Sequence, residues 1–576
     1  MKKLMFTIAC VAFAVALEAK EYTVSSASQI TAALNSIQPG DTITMNGGIW
    51  NSQSIVFAAN GTAAKPILLR ASSYGSVILS GTSSLKIGGT YLIVDWLKFE
   101  NGYSPSGSAV IEFRDNNGNG SRYCRLTRTS ITSYNPVDKT KDYKWVSLYG
   151  QYNRVDHCSF ENKTNIGTTL VVWLENKPNY HTIDHNYFGP RPVYGDNGAE
   201  TIRVGTSDWS MYDSYTTVEY NYFDRCDGEI EIISNKSCEN IYRYNVFVSC
   251  QGMLTLRHGN RCSVYGNYFF ANNAENSGGI RIIGEDHKVY NNYIEKTAGS
   301  SMKTGITMTN GVPNSPLNRY FQVKRALVVF NTLIENRYSF NIGAGKDSEL
   351  SLPPLDCVIA NNLVWSTHSP LMTYTDTPVS MAYEGNIFYG AALGITKPAG
   401  ITAVDPKMIY AADSLWRIGA NSPAVNASAG NYDFVSVDID GQPRSGIFDT
   451  GADEFSSDPV TQKPIRRSDV GPTAIVTSVT RKSKDALPER FQLVQSYPNP
   501  FNPATSILFS VPERSESRLV IVNSLGEEIV VLFSGVMESE KIYTARFDGS
   551  RFASGLYFAE LQFNEHTFTH KMLLLK

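Results

Sequence analysis

An asparagine-headed aromatic or aliphatic strand returns eight times through the middle of this chain, at Asn186-Tyr187-Phe188, Asn221-Tyr222-Phe223, Asn245-Val246-Phe247, Asn267-Tyr268-Phe269, Asn292-Tyr293-Ile294, Asn331-Thr332-Leu333, Asn362-Leu363-Val364 and Asn386-Ile387-Phe388. Successive asparagines lie 35, 24, 22, 25, 39, 31 and 24 residues apart. A step of 22 to 25 residues matches one coil of a β-solenoid, and the longer steps match coils that carry inserted loops. No such coil can bury its apolar face alone, so the repeat predicts stacked coils with one continuous core. Cysteine spacing gives the same register: Cys226 and Cys250 are 24 residues apart, as are Cys238 and Cys262. Equivalent positions on adjacent coils lie about 4.8 Å apart. A disulfide is geometrically conceivable at that separation, but stacked free thiols are the simpler expectation inside a solenoid. The reading is all-β, a right-handed parallel β-helix.

The ends of the repeat are also legible. Ala27 to Ile37 reads as an amphipathic helix that would cap the first coil. The repeat runs out around Gly451-Ala452-Asp453-Glu454. Upstream, Lys2 and Lys3 precede an apolar stretch from Leu4 to Leu17, which reads as a secretory signal cleaved near Ala19. It falls short of the ~20 residues of a membrane span. The expected organisation is therefore a signal at 1–19, a β-helix at 20–455, a linker at 456–486 and a small β-sandwich at 487–576. A net charge of −3 creates no global field toward nucleic acid or membrane, so a polyanionic partner would need a local cluster of cations.

Such a cluster lies in the repeats. In Glu229-Ile230-Glu231-Ile232-Ile233-Ser234-Asn235-Lys236, inward Ile230 and Ile232 would project Glu229 and Glu231 from the outer surface. One coil later, inward leucines in Leu254-Thr255-Leu256-Arg257-His258 put Arg257 on the same face, and Ile280-Arg281-Ile282 repeats this with Arg281. Inward Ile202 and Val204 would place Arg203 there, and Asn197 if the strand extends that far. Two carboxylates among cations suit either a salt-bridged solvated face or a Ca²⁺ site, since hard cations take oxygen ligands. His287 in Gly284-Glu285-Asp286-His287 reads as a structural turn residue. Tyr194, Trp209 and Tyr212, between Pro190 and Thr216, could stack on sugar rings or pin their own loop.

The intervals Glu229-x-Glu231, then Lys236 five residues on and Arg257 another 21 on, resemble polysaccharide lyase family 6, which contains alginate lyases and chondroitinase B. The strings NKSCENIYR, LTLRHGNRC and GGIRIIGEDHKVYNN share that resemblance, which covers residues 21 to 455. It implies that Glu229 and Glu231 bind Ca²⁺ with Asn197 as third ligand, and that Lys236 is the base that takes the C5 proton of a uronate. Arg257 would donate to or stabilise the departing O4, and Arg281, His258 and Arg203 would bind substrate carboxylates. The activity so implied is β-elimination on an acidic polysaccharide, with alginate favoured over dermatan sulfate, by a monomer.

The last ~90 residues combine Ser496-Tyr497-Pro498-Asn499-Pro500-Phe501-Asn502-Pro503 with a basic end, Lys571 to Lys576. They resemble the C-terminal sorting domains of the type IX secretion pathway, which implies that machinery as partner and a secreted or cell-surface location. Two other functions fit a solenoid. A pectin-type hydrolase needs paired acids around a water and has no use for the Lys–Arg spacing. A non-catalytic carbohydrate-binding surface protein is suggested by the sorting domain alone.

Overall fold

The computed structural model describes residues 19–195, 197–474, 494–497, 501, 504–511, 514–523, 526–537, 543–563 and 566–575. The expected signal, apart from Ala19, lies outside the described residues, as do 475–493 of the expected linker and sorting domain and most of the Tyr-Pro-Asn-Pro run.

The asparagines that head the repeats build the corner of each coil. The residue before each lies in the left-handed region: His185, Tyr220, Tyr244, Gly266, Asn291, Phe330, Asn361 and Gly385, with φ from 51° at Tyr220 and Asn291 to 65° at Gly266. This turns the chain sharply, and the Asn side chain then satisfies the polar groups buried at the turn. Asn221 Nδ2 donates to Asn245 Oδ1 at 3.0 Å, Asn245 to Asn267 at 3.0 Å and Asn267 to Asn292 at 2.9 Å, each also bonding a backbone carbonyl of the coil before. The run extends from Asn186 to Asn386, and every member is fully buried. A buried amide is tolerated only when its donors and acceptors are paired, which explains why one polar residue recurs at one corner.

Short strands between corners pair in register with the coils above and below, forming three parallel sheets of 14, 12 and 14 strands. Side chains of one kind stack on themselves inside. Phe188, Phe223, Phe247 and Phe269 run ring on ring at 4.9, 4.6 and 4.5 Å, and Ile202, Ile233, Leu254, Ile280 and Ile306 share a register position. The parallel β-helix is the fold expected. The seven cysteines from Cys124 to Cys357 are buried and free, and Cys226 N–H points at Cys250 Sγ across one coil at 3.3 Å.

The capping helix is Ala27–Leu34, shorter than the expected 27–37. Ser26 caps it by accepting from Gln29 N–H, and Ile30 and Ala33 are buried against the first coils. At the other end the unit continues past 455. Residues 456–474, expected to be linker, lie back on the coils: Gln462 bonds the Tyr220 hydroxyl, Arg467 sits 3.4 Å over the Tyr187 ring, and Gly471 N–H donates to His185 O. Tyr187 and Tyr220, at the asparagine corner of their coils, give the polar segment a surface to dock on, which composition alone does not reveal.

The described residues from 494 to 575 belong to a separate unit with antiparallel sheets of three and four strands. Phe501, Ile507 and Phe509 share one apolar cluster with Leu519, Ile521, Ala559, Leu561 and Met572. Among the described residues no helix is long and apolar enough to cross a membrane.

Candidate active site

The 12-stranded sheet carries the site on the strands Ile202–Gly205, Glu231–Lys236, Gly252–His258, Ser277–Ile282 and Ile306–Thr309. Two register shifts interrupt the pairing of Glu231–Lys236 with Gly252–His258. Glu231 pairs with Met253 but Ile233 with Leu254, so Ile232 is an additional residue; Asn235 pairs with Leu256 but Lys236 with His258, so Arg257 is another. Bulges of this kind re-aim side chains, and here they flank the residues expected to carry the chemistry. Gly252 (φ +101°) lets the chain pass close to the Glu229 and Ile230 carbonyls, which any Cβ would strike.

The bulges correct the simple alternation drawn from sequence. Ile232 and Ile233 both join the core, whereas Ile230, expected inward, is half-exposed and lines the cavity. Arg281 pairs in register with Thr255, not with Arg257. Even so, Asn197, Glu229, Glu231, Lys236, Arg257, His258 and Arg281 all border one cavity of about 710 Å³. Asn197 reaches it from an exposed bend five residues before its strand, rather than from the sheet as expected. Arg203 does not line the cavity. Its guanidinium lies 5.3 Å over the Trp173 ring of the preceding coil, with Nη1 3.9 Å from Glu200. The aromatic face on that coil draws it away from the position alternation assigns.

Glu231 is the hub of the cationic wall. Its Oε1 accepts from Arg281 Nη2 and lies 3.6 Å from Arg257 Nε, while Oε2 accepts from Ser234 Oγ. Arg257 is held on several sides. Its guanidinium sits 4.1 Å from the Tyr320 ring centroid, and Nη1 donates to Arg319 O at 3.2 Å and approaches His258 Nδ1 at 3.4 Å. Burial, partly opposed by Glu231, lowers the Arg257 pKa. Burial, followed by the charges of Arg257 and Lys236, pushes His258 down to about 2, so it is a neutral imidazole at physiological pH.

Lys236 Nζ lies 3.8 Å from Glu200 Oε1. Glu200 is fully buried, accepts from Thr168 Oγ1 at 2.9 Å, and is held below its usual carboxylate range by Arg203 and Lys236 in spite of its burial. Sequence alternation hides it: two residues before inward Ile202, it has the parity of a core position, but the strand begins only at Ile202. Tyr320, 63 residues after Arg257, belongs to the loop inserted in the 39-residue step, and its contact with Arg257 has no signal in local sequence.

Glu229 is the strained member. It is buried, its Oε2 has no hydrogen-bond partner, and burial together with Glu200 and Glu231 pushes its carboxyl up to about 9. Among the described residues no three His, Cys, Asp or Glu side chains form a metal site by themselves. The donor set for an ion is instead the unpaired Glu229 oxygen with Glu231 and the Asn197 amide bordering the same cavity. These all-oxygen donors fit a hard cation, which would relieve the crowding that raises Glu229.

The other aromatics of the 190–216 insertion play a local part. Trp209 and Tyr212 pack edge to face at 4.9 Å and Tyr194 Oη donates to Lys139 O, while Val193, Gly195 and Ser207 border the cavity. His287 is buried in a turn, its ring bonding Cys262 N–H and Ile283 O.

A family model described as chondroitinase B matches residues 24–423, and one described as a secretion system C-terminal sorting domain matches residues 495–575. Among solved structures, the chain is 40% identical to the PL6 family alginate lyase AlyGC, with a TM-score of 0.68 over 70% of this chain and 55% of that one. It therefore spans little more than half the length of that enzyme. A mannuronic acid specific polysaccharide family 6 lyase from human gut microbiota is 33% identical (TM-score 0.59, covering 67% of this chain and 91% of that one). A PL6 family polysaccharide lyase from Pseudopedobacter saltans is 26% identical (TM-score 0.58, covering 78% and 99%). A comparison with curated proteins finds no match.

Proposed function

Because the chain belongs to the chondroitinase B family, the PL6 polysaccharide lyases, we propose that it cleaves an acidic polysaccharide, alginate first, by β-elimination. The observation that carries this reading is the meeting of Lys236, Arg257 and Arg281 with an unpaired Glu229 oxygen on one cavity. A hydrolase site has no use for that combination.

In this mechanism the free amine of Lys236 removes the C5 proton of a uronate and becomes an ammonium. The electron pair left on C5 forms the C4–C5 double bond, and the C4–O4 bond breaks. Arg257 faces the departing O4. An arginine is a poor proton donor, so its part is to stabilise the oxyanion, which takes its proton from the guanidinium or from water. Tyr320 and Arg319 O keep the guanidinium aimed while it does so. Arg281, fixed by Glu231, supplies positive charge for the substrate carboxylate, and His258 contributes as a neutral hydrogen-bonding group. Calcium would be held by Glu229, Glu231 and Asn197, and when bound it supplies a Lewis acid that neutralises the uronate carboxylate. Glu200 and Arg203 position Lys236 rather than touch substrate.

Alginate is favoured because two solved relatives above 30% identity are named for alginate or mannuronic acid. The chondroitinase B family model supports dermatan sulfate as the second reading. Ultraviolet absorbance during incubation with each polymer decides: only elimination makes a conjugated uronate. Absorbance rising on alginate is the expected result; no rise on either polymer would end the lyase reading. The match of the C-terminal segment to sorting domains supports delivery through the type IX machinery to the cell surface or beyond.

A further inference from the structure

Four cationic side chains border the cavity, and three are already matched by carboxylates: Lys236 by Glu200, Arg257 by Glu231 and Arg281 by Glu231. The fourth, Lys303, has no ion pair or hydrogen bond to its ammonium among the described residues. Resting on the polyuronate reading above, we propose that Lys303 is the anion-binding element of a second subsite. There it holds the carboxylate of a uronate farther along the chain than the one that loses its proton.

The backbone beneath Lys303 is built to hold this position. Lys303 N–H donates to Ser300 O at 2.9 Å, closing a turn, and Gly299 N–H donates to Ser277 O at 2.8 Å. Ala298 N–H is taken by Ser277 Oγ, and a Cβ on Gly299 would collide with Lys303 O and Ser277 O. Met302, next in the turn, packs its sulfur against Arg281 Nη1 at 3.9 Å. The backbone that carries Lys303 is thus anchored to the neighbouring coil, while its ammonium has no ion pair or hydrogen bond among the described residues.

Its place along the solenoid fixes what it can reach. Ile230 O accepts from Met253 N–H, Asn276 O from Gly252 N–H, and Thr304 O from Gly279 N–H, so the edge of the sheet steps from Glu229 through Gln251 and Asn276 to Lys303. Three coil spacings separate Glu229 from Lys303, about 14 Å. Gln251 and Asn276, which border the cavity between them, are neutral amides able to bond hydroxyls. An ion at Glu229 and a lysine at 303, with amides between, form two carboxylate contacts along one polymer. A single bound uronate cannot bridge them.

The test compares the full-length protein with Lys303→Ala, Lys303→Gln and Lys303→Arg. Calorimetry measures binding of alginate oligosaccharides of increasing length, and steady-state rates are taken on the same series. For oligosaccharides long enough to span both positions, Ala and Gln should weaken binding about fivefold, the scale of one partly exposed ionic contact. Arg should restore it, and the loss should grow with length and appear in KM. Equal affinity of all variants at every length overturns the proposal, as does a loss of equal size on the shortest oligosaccharide. If the wild type binds these oligosaccharides yet releases no unsaturated product, the lyase reading fails while the Lys303 comparison still decides this one. If it binds none at any length, both fall.

Discussion

Two clusters of buried charge lie on the same β-helical unit, and they are finished differently. At the end of the solenoid, Arg417 pairs with Asp413, Asp440 and Asp453, while Arg444 donates to Glu454 and to the carbonyls of Asp449 and Gly451. Asp438 accepts from three backbone N–H groups, those of Asp440, Gln442 and Glu454. Among the described residues no carboxylate oxygen of this cluster is buried without a partner. The cavity cluster holds similar groups, but leaves Glu229 Oε2 unpaired and Lys303 unmatched. Carboxylates used for structure are satisfied within the chain, where Arg444 Nε is the cluster's buried atom without a partner among the described residues; the cluster kept for a ligand leaves a carboxylate oxygen without one, beside a cavity.

The largest effect that separates the two is on turnover. Arg257→Ala should lower kcat/KM by about 10²–10⁴-fold, with the melting temperature nearly unchanged because the residue faces the cavity. A large loss of stability without a specific loss of rate would place Arg257 in the structural class. The converse substitution is Arg444→Met, which leaves Glu454 and neighbouring acids without their counter-charge. It should cost about 3–5 kcal/mol in denaturant unfolding, while the protein that remains folded keeps its KM.

A smaller effect concerns pH. Burial chiefly, with neighbouring carboxylates, raises Glu229 from 4.5 to about 9 and Asp453 from 3.8 to about 8. A group whose folded pKa is raised holds its proton more tightly when folded. Its contribution is therefore complete below the unfolded pKa and is lost as pH rises through the folded value. Chelated protein should accordingly melt at lower temperature as pH goes from about 5 to about 9. Calcium should restore part of that loss at the alkaline end, by roughly 3 °C or more. Asp453→Asn should flatten the pH dependence and keep the calcium effect, whereas Glu229→Gln should abolish the calcium effect. The same calcium response in both variants would erase the distinction between the clusters.

The repeat was legible because each coil restates one solution, an Asn at the corner with an aromatic or aliphatic side chain stacked within; the αL residue before the Asn varies in type and carries no such signal. The cavity residues were legible where that repeat carries them, as with Glu231, Lys236 and Arg257. They were not legible where it breaks. Alternation assigns Glu200 to the core and Arg203 to the cavity, yet the late start of the strand leaves Glu200 beside Lys236, and Trp173 holds Arg203 aside. Tyr320 and Lys303 arrive in a coil with inserted loops, whose path is set by contacts such as the Arg319–Glu349 ion pair rather than by period.

Lys236 acts in the proposed mechanism as a base rather than as a fixed charge, and Lys236→Arg separates the two. The substitution keeps a cation opposite Glu200, but its guanidinium stays protonated near neutrality and cannot accept the C5 proton. Measured as unsaturated uronate released from alginate, with binding and melting temperature followed in parallel, the variant should bind polymer and fold normally while losing about 10²-fold or more in rate. Release at near the wild-type rate would contradict the mechanism.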